Sequence, residues 1–499
     1  MRRVLIANRG EIAVRIIRAC EELDLESVAV FSDADASALH TRLAHRAVRI
    51  GPPAASESYL NVPAVIEAAR AAGADAVHPG YGFLSERGDF ARACEHAGLV
   101  FVGPPADVIE RLGSKLEARS IMTAAGVPVV PGARPADQSD GGIEEAVRGV
   151  GYPALIKASA GGGGKGMRLV RTPGEAVESI PAARREAIAA FGDGTLYVER
   201  AIEKARHIEI QVFGDATGEV VHLFERECSL QRRHQKVIEE SPSPALTPAM
   251  RARMGEAAVA AARAAGYRNA GTVEFLLEGE GNEARFYFLE MNTRLQVEHA
   301  ITEEVTGVDL VHAQLAVAAG RPLPWMHATR NQRGHAVECR VYAEDPRHGF
   351  LPQAGPLLTY QEPSGPGLRV DSGVIQGDYI GVQYDPLIAK LIAHAPSRDA
   401  ALARAAAALG RFPILGIRTN VPFLRRALRH PQVRRGDVHT GFLDAHLDEL
   451  TAPVTPPAGV LAAAAYSGWQ ERSARPTGAT QEVRGDPWTL LTNWGRAGG

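Results

Sequence analysis

The chain of 499 residues is longer than a single hydrophobic core usually supports, so we expect roughly three domains. A hydrophobic fraction of 45% and a charged fraction of 23% exclude a disordered chain. The net charge of -3 excludes a general positive field for nucleic acid or anionic lipid, so recognition of phosphate has to be local. Four cysteines without CxxC or metal-ligand spacing, and the lack of a long apolar run, predict a reduced, cytoplasmic protein without a membrane span.

The first hundred residues alternate short β-branched runs with amphipathic helical segments. Strands are predicted at RRVLIA, SVAVFS, ADAVHPG and LVFVG, and helices at GEIAVRIIRACEEL, VPAVIEAARAAG and RGDFARACEHAG. This alternation predicts a parallel α/β sheet with helical crossovers. A dinucleotide-binding fold is disfavoured, because ANRGEIA after the first strand lacks the GxGxxG pattern.

A small unit follows a helix and a strand near residues 114–132, and it contains the four consecutive glycines of KASAGGGGKGM. The strand-like segments YPALIK and MRLV flank the glycines, which predicts a hairpin tip rather than a linker. Glycine N–H groups can converge on phosphate oxygens, and Lys157 at the strand end can add a positive charge. An ordinary mobile hairpin is the alternative for this segment alone.

Two strands beyond residue 204 are predicted to form a hairpin that brings acidic side chains together. GTVEFLLE and ARFYFLEM flank the turn residues GEGN, and pairing centred near Asn282 places Glu274 opposite Glu290. Opposed carboxylates repel each other, so a divalent cation between them, with Asn292 as a further oxygen ligand, would explain the arrangement. Magnesium usually completes its shell with water and substrate phosphates, which points to a nucleotide.

Polar residues recur at every second position in the segment EMNTRLQVEH. If the segment stays extended, five side chains share one face: Glu290, Asn292, Arg294, Gln296 and Glu298. A solvated edge strand is the alternative interpretation. The segment ECSLQRRHQKVIEE supplies further donors at Gln231, His234 and Lys236, although a basic run of this kind more often faces water.

The carboxyl-terminal third is predicted to be α+β. Short strands and turns follow RNQRGHAVECRVYAEDP, and the helix SRDAALARAAAALGRF comes next, with the domain ending near Leu450. The following segment TAPVTPPAGVLAAAAYSG is rich in Pro and Ala, and nothing after it keeps a period. We therefore predict a linker and the start of a further region over the last fifty residues.

Five segments, GGGGKGM, QRRHQKVIEE, EMNTRLQVEH, ANRGEIA and HPGYGFLSE, together resemble the biotin carboxylase component of biotin-dependent carboxylases, a branch of the ATP-grasp superfamily. The resemblance runs from Arg3 to about Leu447. It implies four regions: a pre-ATP-grasp parallel α/β domain at 1–113, an ATP-grasp domain at 114–330 with a mobile glycine-rich lid at about 133–203, a biotin carboxylase C-terminal domain at 331–449, and a linker with the start of a following region at 450–499.

The resemblance also implies roles for individual residues. ATP would contact Lys115, Lys157, Gly163, Gly164, Glu199, Arg200, Ala201, Ile202, His207, Gln231 and His234. Two Mg²⁺ or Mn²⁺ ions would be held by Glu274, Glu290 and Asn292. Bicarbonate would lie against Lys236, Arg294, Gln296, Val297 and Glu298, and biotin would face Arg340 with Tyr81 nearby. Arg200 stands where a lysine is often found, and its backbone is the expected contact.

The implied reaction is the ATP-dependent carboxylation of biotin by bicarbonate through carboxyphosphate. Glu298 would act as the base, Arg294 and Lys236 would hold bicarbonate, and Arg340 would stabilise the ureido oxygen of biotin. None of the seven methionines frames a lysine in the manner of a carrier domain, so biotin is expected on a carrier domain elsewhere, with a carboxyltransferase as a further partner. The acyl-CoA substrate would be chosen by that carboxyltransferase.

Assembly is suggested by two other segments. The tail DPWTLLTNWGR resembles the stretch that follows this domain in the α subunits of propionyl-, methylcrotonyl- and related acyl-CoA carboxylases, whereas a separate acetyl-CoA-type subunit would end near Leu450. The helix carrying Arg18 and Glu22, with Arg369, resembles a family dimer surface, so a homodimer is a further expectation.

Two other functions are compatible with parts of the sequence. One is an ATP-grasp ligase for a different acid, such as the carbamoyl-phosphate family, and the other is a silent subunit that only binds nucleotide or carrier. The arginine of VECR and the segment HPGYGFLSE favour biotin over the first. The complete polar set from Glu290 to Glu298 argues against the second.

Overall fold

The computed structural model describes residues 1–159, 166–323, 325, 331–453 and 455–473, without the side chains of 282 and 467–473. The chain divides into two units, Met1–Thr451 and Ala452–Gly499. Gly163 and Gly164, which were expected to contact ATP, lie outside the described residues.

The amino-terminal region is a parallel α/β sheet. Its strands are β1 (Arg3–Ile6), β2 (Glu26–Ser32), β3 (Arg46–Gly51), β4 (Ala76–His78) and β5 (Val100–Phe101). Its helices are α1 (Gly10–Glu22), α2 (Leu39–Leu43), α3 (Val62–Ala72), α4 (Gly88–His96) and α5 (Ala106–Gly113). The strand order is β3-β2-β1-β4-β5, with all pairs parallel. The central strand is fully buried at Val4, Leu5 and Ile6, as expected where helices cover both faces.

A smaller unit with its own core follows. Helix α6 (Lys115–Ala124) precedes it, and the buried residues of this helix belong to a different core cluster. The elements of the smaller unit are β6 (Gly132–Ala133), α7 (Asp140–Val150), β7 (Ala154–Ala158), β8 (Arg168–Val170), α8 (Pro173–Phe191) and β9 (Leu196–Arg200). The strands form an antiparallel sheet in the order β6-β9-β7-β8, against which α7 and α8 pack. Strands β7 and β8 pair on either side of the glycine run, so the predicted hairpin is confirmed for its two described strands.

The remaining elements of the first unit fall in two groups. The first group is β10 (Arg206–Gly214), β11 (Val220–Arg232), β12 (Gln235–Ser241), α9 (Pro248–Ala265), β13 (Asn269–Glu278), β14 (Arg285–Asn292), α10 (His299–Thr306) and α11 (Leu310–Ala318). The second group is β15 (His335–Tyr342), β16 (Glu344–Asp345), β17 (Leu351–Pro352), β18 (Gly355–Pro356), β19 (Thr359–Tyr360), β20 (Leu368–Ser372), β21 (Tyr379–Ile380), β22 (Leu387–Ala395), α12 (Arg398–Leu409), β23 (Ile414–Leu415), α13 (Val421–Arg429), α14 (Pro431–Arg435), α15 (Phe442–Ala445) and α16 (Leu447–Thr451).

One antiparallel sheet of eight strands joins these two groups. Its order is β14-β13-β10-β11-β12-β15-β22-β20, and β12 pairs with β15 in the register Ile238↔Cys339. Apolar residues of β10 and β13, such as Ile208, Ile210 and Phe275, pack on helix α9. The polar residues between them point to the opposite face, because successive side chains of a strand alternate. Helix α10 packs on the same sheet against β11, β12, β15 and β22, and its Glu303 accepts a hydrogen bond from Arg15 of α1.

The second unit contains helix α17 (Ala458–Ser473). The sequence analysis predicted a linker and the start of a further region over 450–499 without placing a helix there, and helix α17 is one element within that stretch. The segment GVLAAAA has high helix propensity, and the carbonyl of Pro457 accepts hydrogen bonds from the N–H groups of Val460 and Leu461 at the start of the helix. The segment has no amphipathic period, which is the signal used to predict helices from sequence. Its described side chains, 458–466, are accordingly all exposed. In the described part of the chain, no helix combines the length and apolar composition needed to cross a membrane.

Candidate active site

The hairpin of β13 and β14 places two carboxylates on neighbouring strands. Glu274 pairs with Glu290 and Thr272 with Asn292, which confirms the predicted pairing. On the turn side of this pair the register shifts by one residue, so Phe275 pairs with Phe288. A β-bulge at Leu289 absorbs this offset, so the two glutamates still face each other.

The strand ends at Asn292, so the predicted extended ribbon through Glu298 is wrong. Residues 293–298 form a turn, and Glu298 directly precedes helix α10. The side chains nevertheless converge. Arg294 donates from Nη1 to Gln296 Oε1 at 2.9 Å and from Nη2 to Asn292 Oδ1 at 3.3 Å. The amide of Asn292 donates to Glu274 Oε1 at 2.9 Å.

Lys236 lies at the centre of three carboxylates. It follows the tight β11–β12 turn, in which Arg233 and His234 both have positive φ, as a two-residue hairpin requires. Its Nζ donates to Glu274 Oε1 at 2.7 Å, to Glu298 Oε1 at 2.6 Å and also to Glu209. Burial lowers the pKa of Lys236, but the three carboxylates raise it well above its usual value, so Lys236 is an ammonium.

Arg340, from strand β15, approaches Glu298 from the other side. Its Nη2 donates to Glu298 Oε2 at 2.9 Å, and its Nε donates to Glu239 Oε1 at 2.6 Å. Glu298 has no exposed surface. Burial raises the pKa of Glu298, but Lys236, Arg340 and Arg226 lower it well below the ordinary value, so the group is a carboxylate at neutral pH. The four proposed catalytic residues therefore form one connected cluster through Asn292 and Glu274.

Of the three residues expected near the ribose and phosphates, two are buried and one is exposed. His207 is buried in β10, and its Nε2 is 3.0 Å from Glu274 Oε2. Gln231 is buried at the end of β11 and pairs in register with Lys236. His234 is exposed at the turn. His207 thus supports an expected metal ligand directly, and the other two line the same end of the sheet.

The expected phosphate-binding lysines lie on separate elements. Lys115 is the first residue of α6, and burial lowers its pKa although the nearby carboxylate of Glu290 raises it. Lys157 is buried at the end of β7 and pairs with Glu199 Oε2 at 2.5 Å. Glu199 also accepts from Arg119 Nη1 at 2.7 Å. Helix α6 packs against β14, which brings Lys115 within electrostatic reach of Glu290.

The expected adenine segment, Glu199 to Ile202, begins with the last two residues of β9. The guanidinium of Arg200 forms two 2.8 Å hydrogen bonds to Glu278, and it contacts the ring of Tyr287. The side chain therefore bonds to the β13–β14 hairpin, as expected if only its backbone serves a ligand. The N–H of Ala201 donates to the carbonyl of Pro153 at 2.9 Å, and Ile202 comes next along the chain.

Two expected ligand residues meet other parts of the protein. The carbonyl of Val297 accepts a hydrogen bond from Lys390 Nζ at 2.7 Å. Tyr81 is half-buried against the apolar cluster of α1 and α11, and its hydroxyl has no hydrogen-bond partner among the described residues. Its expected closeness to Arg340 stays a prediction.

Three protein-family models match the chain. They are "Biotin carboxylase, N-terminal domain" at residues 1–109, "Carbamoyl-phosphate synthase L chain, ATP binding domain" at 114–326 and "Biotin carboxylase C-terminal domain" at 338–445. The biotin carboxylase of Halalkalibacterium halodurans is 50% identical over 453 residues, which covers 90% of this chain and 99% of that protein. The chain belongs to the biotin carboxylase family.

Other members of the biotin carboxylase family extend this similarity. The methylcrotonoyl-CoA carboxylase subunit alpha of Mus musculus is 49% identical over 449 residues, or 90% of this chain and 62% of that protein. The chain thus spans about three-fifths of the length of such relatives. The crystal structure of the biotin carboxylase domain dimer of Hydrogenobacter thermophilus 2-oxoglutarate carboxylase, with MgADP, ADP and bicarbonate, superposes with a TM-score of 0.86. It is 43% identical, with 91% of this chain and 99% of that chain covered, and it confirms the predicted multidomain ATP-grasp fold.

Several charged residues of this biotin carboxylase site were missed by the sequence analysis. Arg226 is fully buried and donates to Gln211, Thr302 and Thr272, as well as to Glu209. A usable signal was the alternation of His207, Glu209 and Gln211 with apolar residues in HIEIQVFG.

Two further residues carried no comparable signal. Glu239 holds Arg340, and Glu86 lies with its Oε2 3.2 Å from Arg294 Nε. The arginine partner of each glutamate is distant in sequence.

Proposed function

We propose that the chain catalyses the ATP-dependent carboxylation of biotin by bicarbonate. The observation that carries this proposal is the position of Lys236, whose ammonium bonds to Glu274 on the nucleotide side and to Glu298 on the bicarbonate side. One cation therefore links the group expected to handle phosphate with the group expected to take a proton.

The donor set at the hairpin fits Mg²⁺ or Mn²⁺. Glu274 and Glu290 supply opposed carboxylates, and Asn292 directs its amide nitrogen to Glu274, which leaves Oδ1 toward Arg294 and the cleft. Hard divalent cations prefer such oxygen ligands. When bound, these ions would offset negative charge on the phosphoryl group of ATP.

The first step joins bicarbonate to the γ-phosphate of ATP. Arg294 and Lys236 hold bicarbonate in line with the phosphorus, its oxygen forms the new P–O bond, and ADP leaves. Glu298 accepts the bicarbonate proton, which gives carboxyphosphate. Lys236 and Arg340 both bond to Glu298, and any competition of bicarbonate and biotin for these cations would make the carboxylate a stronger base.

The second step transfers CO₂ to biotin. Carboxyphosphate breaks down to CO₂ and phosphate, the phosphate takes the N1′ proton of biotin, and N1′ attacks CO₂. Arg340 stabilises the negative charge on the ureido oxygen, since its guanidinium is kept in place by Glu239. Closure of the glycine-rich lid would exclude water from the reactive intermediate.

The partners of the reaction belong to the same proposal. Biotin would arrive on a carrier domain, and a carboxyltransferase would use the carboxybiotin, as the methylcrotonoyl-CoA carboxylase relatives suggest for an acyl-CoA acceptor. We place the enzyme in the cytoplasm. A homodimer is supported by the dimeric 2-oxoglutarate carboxylase domain and by exposed Arg18, whereas Arg369 already bonds to Asp371 and Glu303 within the chain.

Phosphate release from Mg-ATP, with bicarbonate and free biotin varied independently, tests the function. We expect release that requires bicarbonate and is stimulated by biotin. Phosphate release that does not respond to biotin but increases with added ammonia would favour a carbamoyl-phosphate-type ligase. ATP binding without any bicarbonate-dependent release would favour a silent subunit.

A further inference from the structure

The turn between β14 and α10 directs two consecutive carbonyls into the protein. Nδ1 of His299 lies 2.8 Å from the carbonyl oxygen of Gln296, and Nζ of Lys390 donates to the carbonyl oxygen of Val297 at 2.7 Å. A carbonyl oxygen can only accept, so Nδ1 of His299 carries the proton. Both donor side chains are fully buried. His299 closes the segment EMNTRLQVEH but was given no role by the sequence analysis, and Lys390 lies outside its motifs.

The geometry of the peptide bond fixes where the N–H groups of this turn point. Both peptides are trans, so each N–H points opposite to the C=O of the same peptide. The N–H of Val297 therefore points away from His299, and the N–H of Glu298 points away from Lys390. Within the described ranges, no oxygen accepts a hydrogen bond from either N–H. Because a hydrogen bond at a carbonyl polarises its peptide, both N–H groups are strengthened as donors.

Lys390 is well suited to this role because it is a buried cation with fixed surroundings. In β22 it lies between Arg340 of β15 and Asp371 of β20. Its Nζ is 3.5 Å from Glu11 Oε1 and 3.5 Å from Asp371 Oδ2. Burial lowers the pKa of Lys390, but Glu11, Glu338 and Asp371 raise it by more. The ammonium therefore holds one carbonyl of the site, with the carboxyl groups of Glu11, Glu338 and Asp371 around it.

We propose that Lys390 and His299 are positioning residues for the bicarbonate pocket, which orient and polarise two successive peptides so that the N–H groups of Val297 and Glu298 bind the anion. This inference rests on the proposed biotin carboxylase function. Neither side chain reaches bicarbonate, because each lies behind the carbonyl that it holds. The same two bonds fix the backbone from which Glu298 projects.

A matched pair of variants at His299 tests the proposal. Asn can place its amide nitrogen near the position of imidazole Nδ1, whereas Leu of similar size has no donor. We expect His299→Leu to raise the KM for bicarbonate about tenfold, the effect of one lost hydrogen bond, with the KM for ATP changed less than about twofold. His299→Asn should return the bicarbonate KM to within about threefold of the parent.

Lys390 is tested together with Glu11, the α1 carboxyl group 3.5 Å from its Nζ, while Glu338 keeps Arg340 as a nearby cation. In the double variant Lys390→Met with Glu11→Gln, the nearest carboxylate of α1 is neutral, and Asp371 keeps Arg369. We again expect about a tenfold rise in the bicarbonate KM, with ATP affinity and the thermal midpoint measured to show that the protein is folded. If this variant does not fold, the His299 pair alone decides.

The outcomes separate this inference from the function on which it rests. A parent protein without bicarbonate-dependent ATP cleavage would overturn both. An active parent whose folded His299→Leu variant keeps its bicarbonate KM, or raises the KM for ATP and bicarbonate equally, would overturn only the positioning role. A purely structural role would lower the maximal rate and leave both KM values alone.

Discussion

Replacement of Glu298 by glutamine should remove the base and leave the fold and the nucleotide site intact. A positioned general base contributes about 10²–10⁴-fold to a rate, so bicarbonate-dependent ATP cleavage should fall by at least about 100-fold. ATP affinity should stay within about twofold, because Glu298 lies on the bicarbonate side of Lys236.

The structure also sets the expected cost in stability. Breaking a buried ion pair costs about 3–5 kcal/mol when it leaves a charge without a partner. In Glu298→Gln, Lys236 keeps Glu209 and Glu274, and Arg340 keeps Glu239. Since no cation is left unpaired, the loss in unfolding free energy should be below about 3 kcal/mol.

The assay measures phosphate release with and without bicarbonate, together with ATP binding by equilibrium dialysis. Glu225→Gln is the matched control, because Glu225 is equally buried but bonds to Arg251 on the α9 side of the sheet. It should lower stability and leave bicarbonate-dependent cleavage per folded molecule near that of the parent. Turnover of Glu298→Gln within about fivefold of the control would refute the assignment of Glu298 as the base.

Three other expectations concern the biotin side, the metal ligands and acid stability. Arg340→Ala should reduce biotin carboxylation at least about tenfold more than bicarbonate-dependent ATP cleavage; equal losses would contradict the division of roles. Glu290→Gln should raise the Mg²⁺ concentration for half-maximal ATP cleavage about tenfold or more, and an unchanged magnesium titration would remove Glu290 from the metal site. Stability should also depend on Glu303. Three groups lower the pKa of Glu303 more than burial raises it, to about 2: His299, Arg15 and Arg369. Because the folded pKa is below the unfolded one, this stabilisation of about 3 kcal/mol is complete above about pH 5 and is lost as the pH falls toward 2. Urea unfolding across that range should show the loss in the parent, and the same slope in Glu303→Gln would contradict the cause.

Local pattern was sufficient for the hairpin of β13 and β14. Alternation of side chains and a Gly-rich turn are properties of neighbouring residues, so the approach of Glu274 to Glu290 could be predicted. The bulge at Leu289 could not, because the packing of Phe288 and the turn conformation decide which residue is left unpaired.

The same pattern misled the analysis beyond Asn292. Alternating polar residues are compatible with a continuous strand. They are equally compatible with a strand that ends and is followed by a turn, if the side chains of the turn contact a common partner. The partners here, Lys236, Arg340 and Lys390, are supplied by other strands and favour the turn. Helix α17 shows the opposite case, in which intrinsic propensity forms an element without an amphipathic pattern.

The sequence alone determined the parallel amino-terminal sheet, the hairpin of β13 and β14 and the family, because strand alternation, turn residues and contiguous motifs are local properties. The tertiary structure alone decided that buried Arg226, Glu209 and Glu239 complete the site, and that Lys390 reaches the carbonyl of Val297. Charges are buried only in the company of partners, and these partners lie on strands far apart in the chain, so their pairing exists only once the eight-stranded sheet has formed.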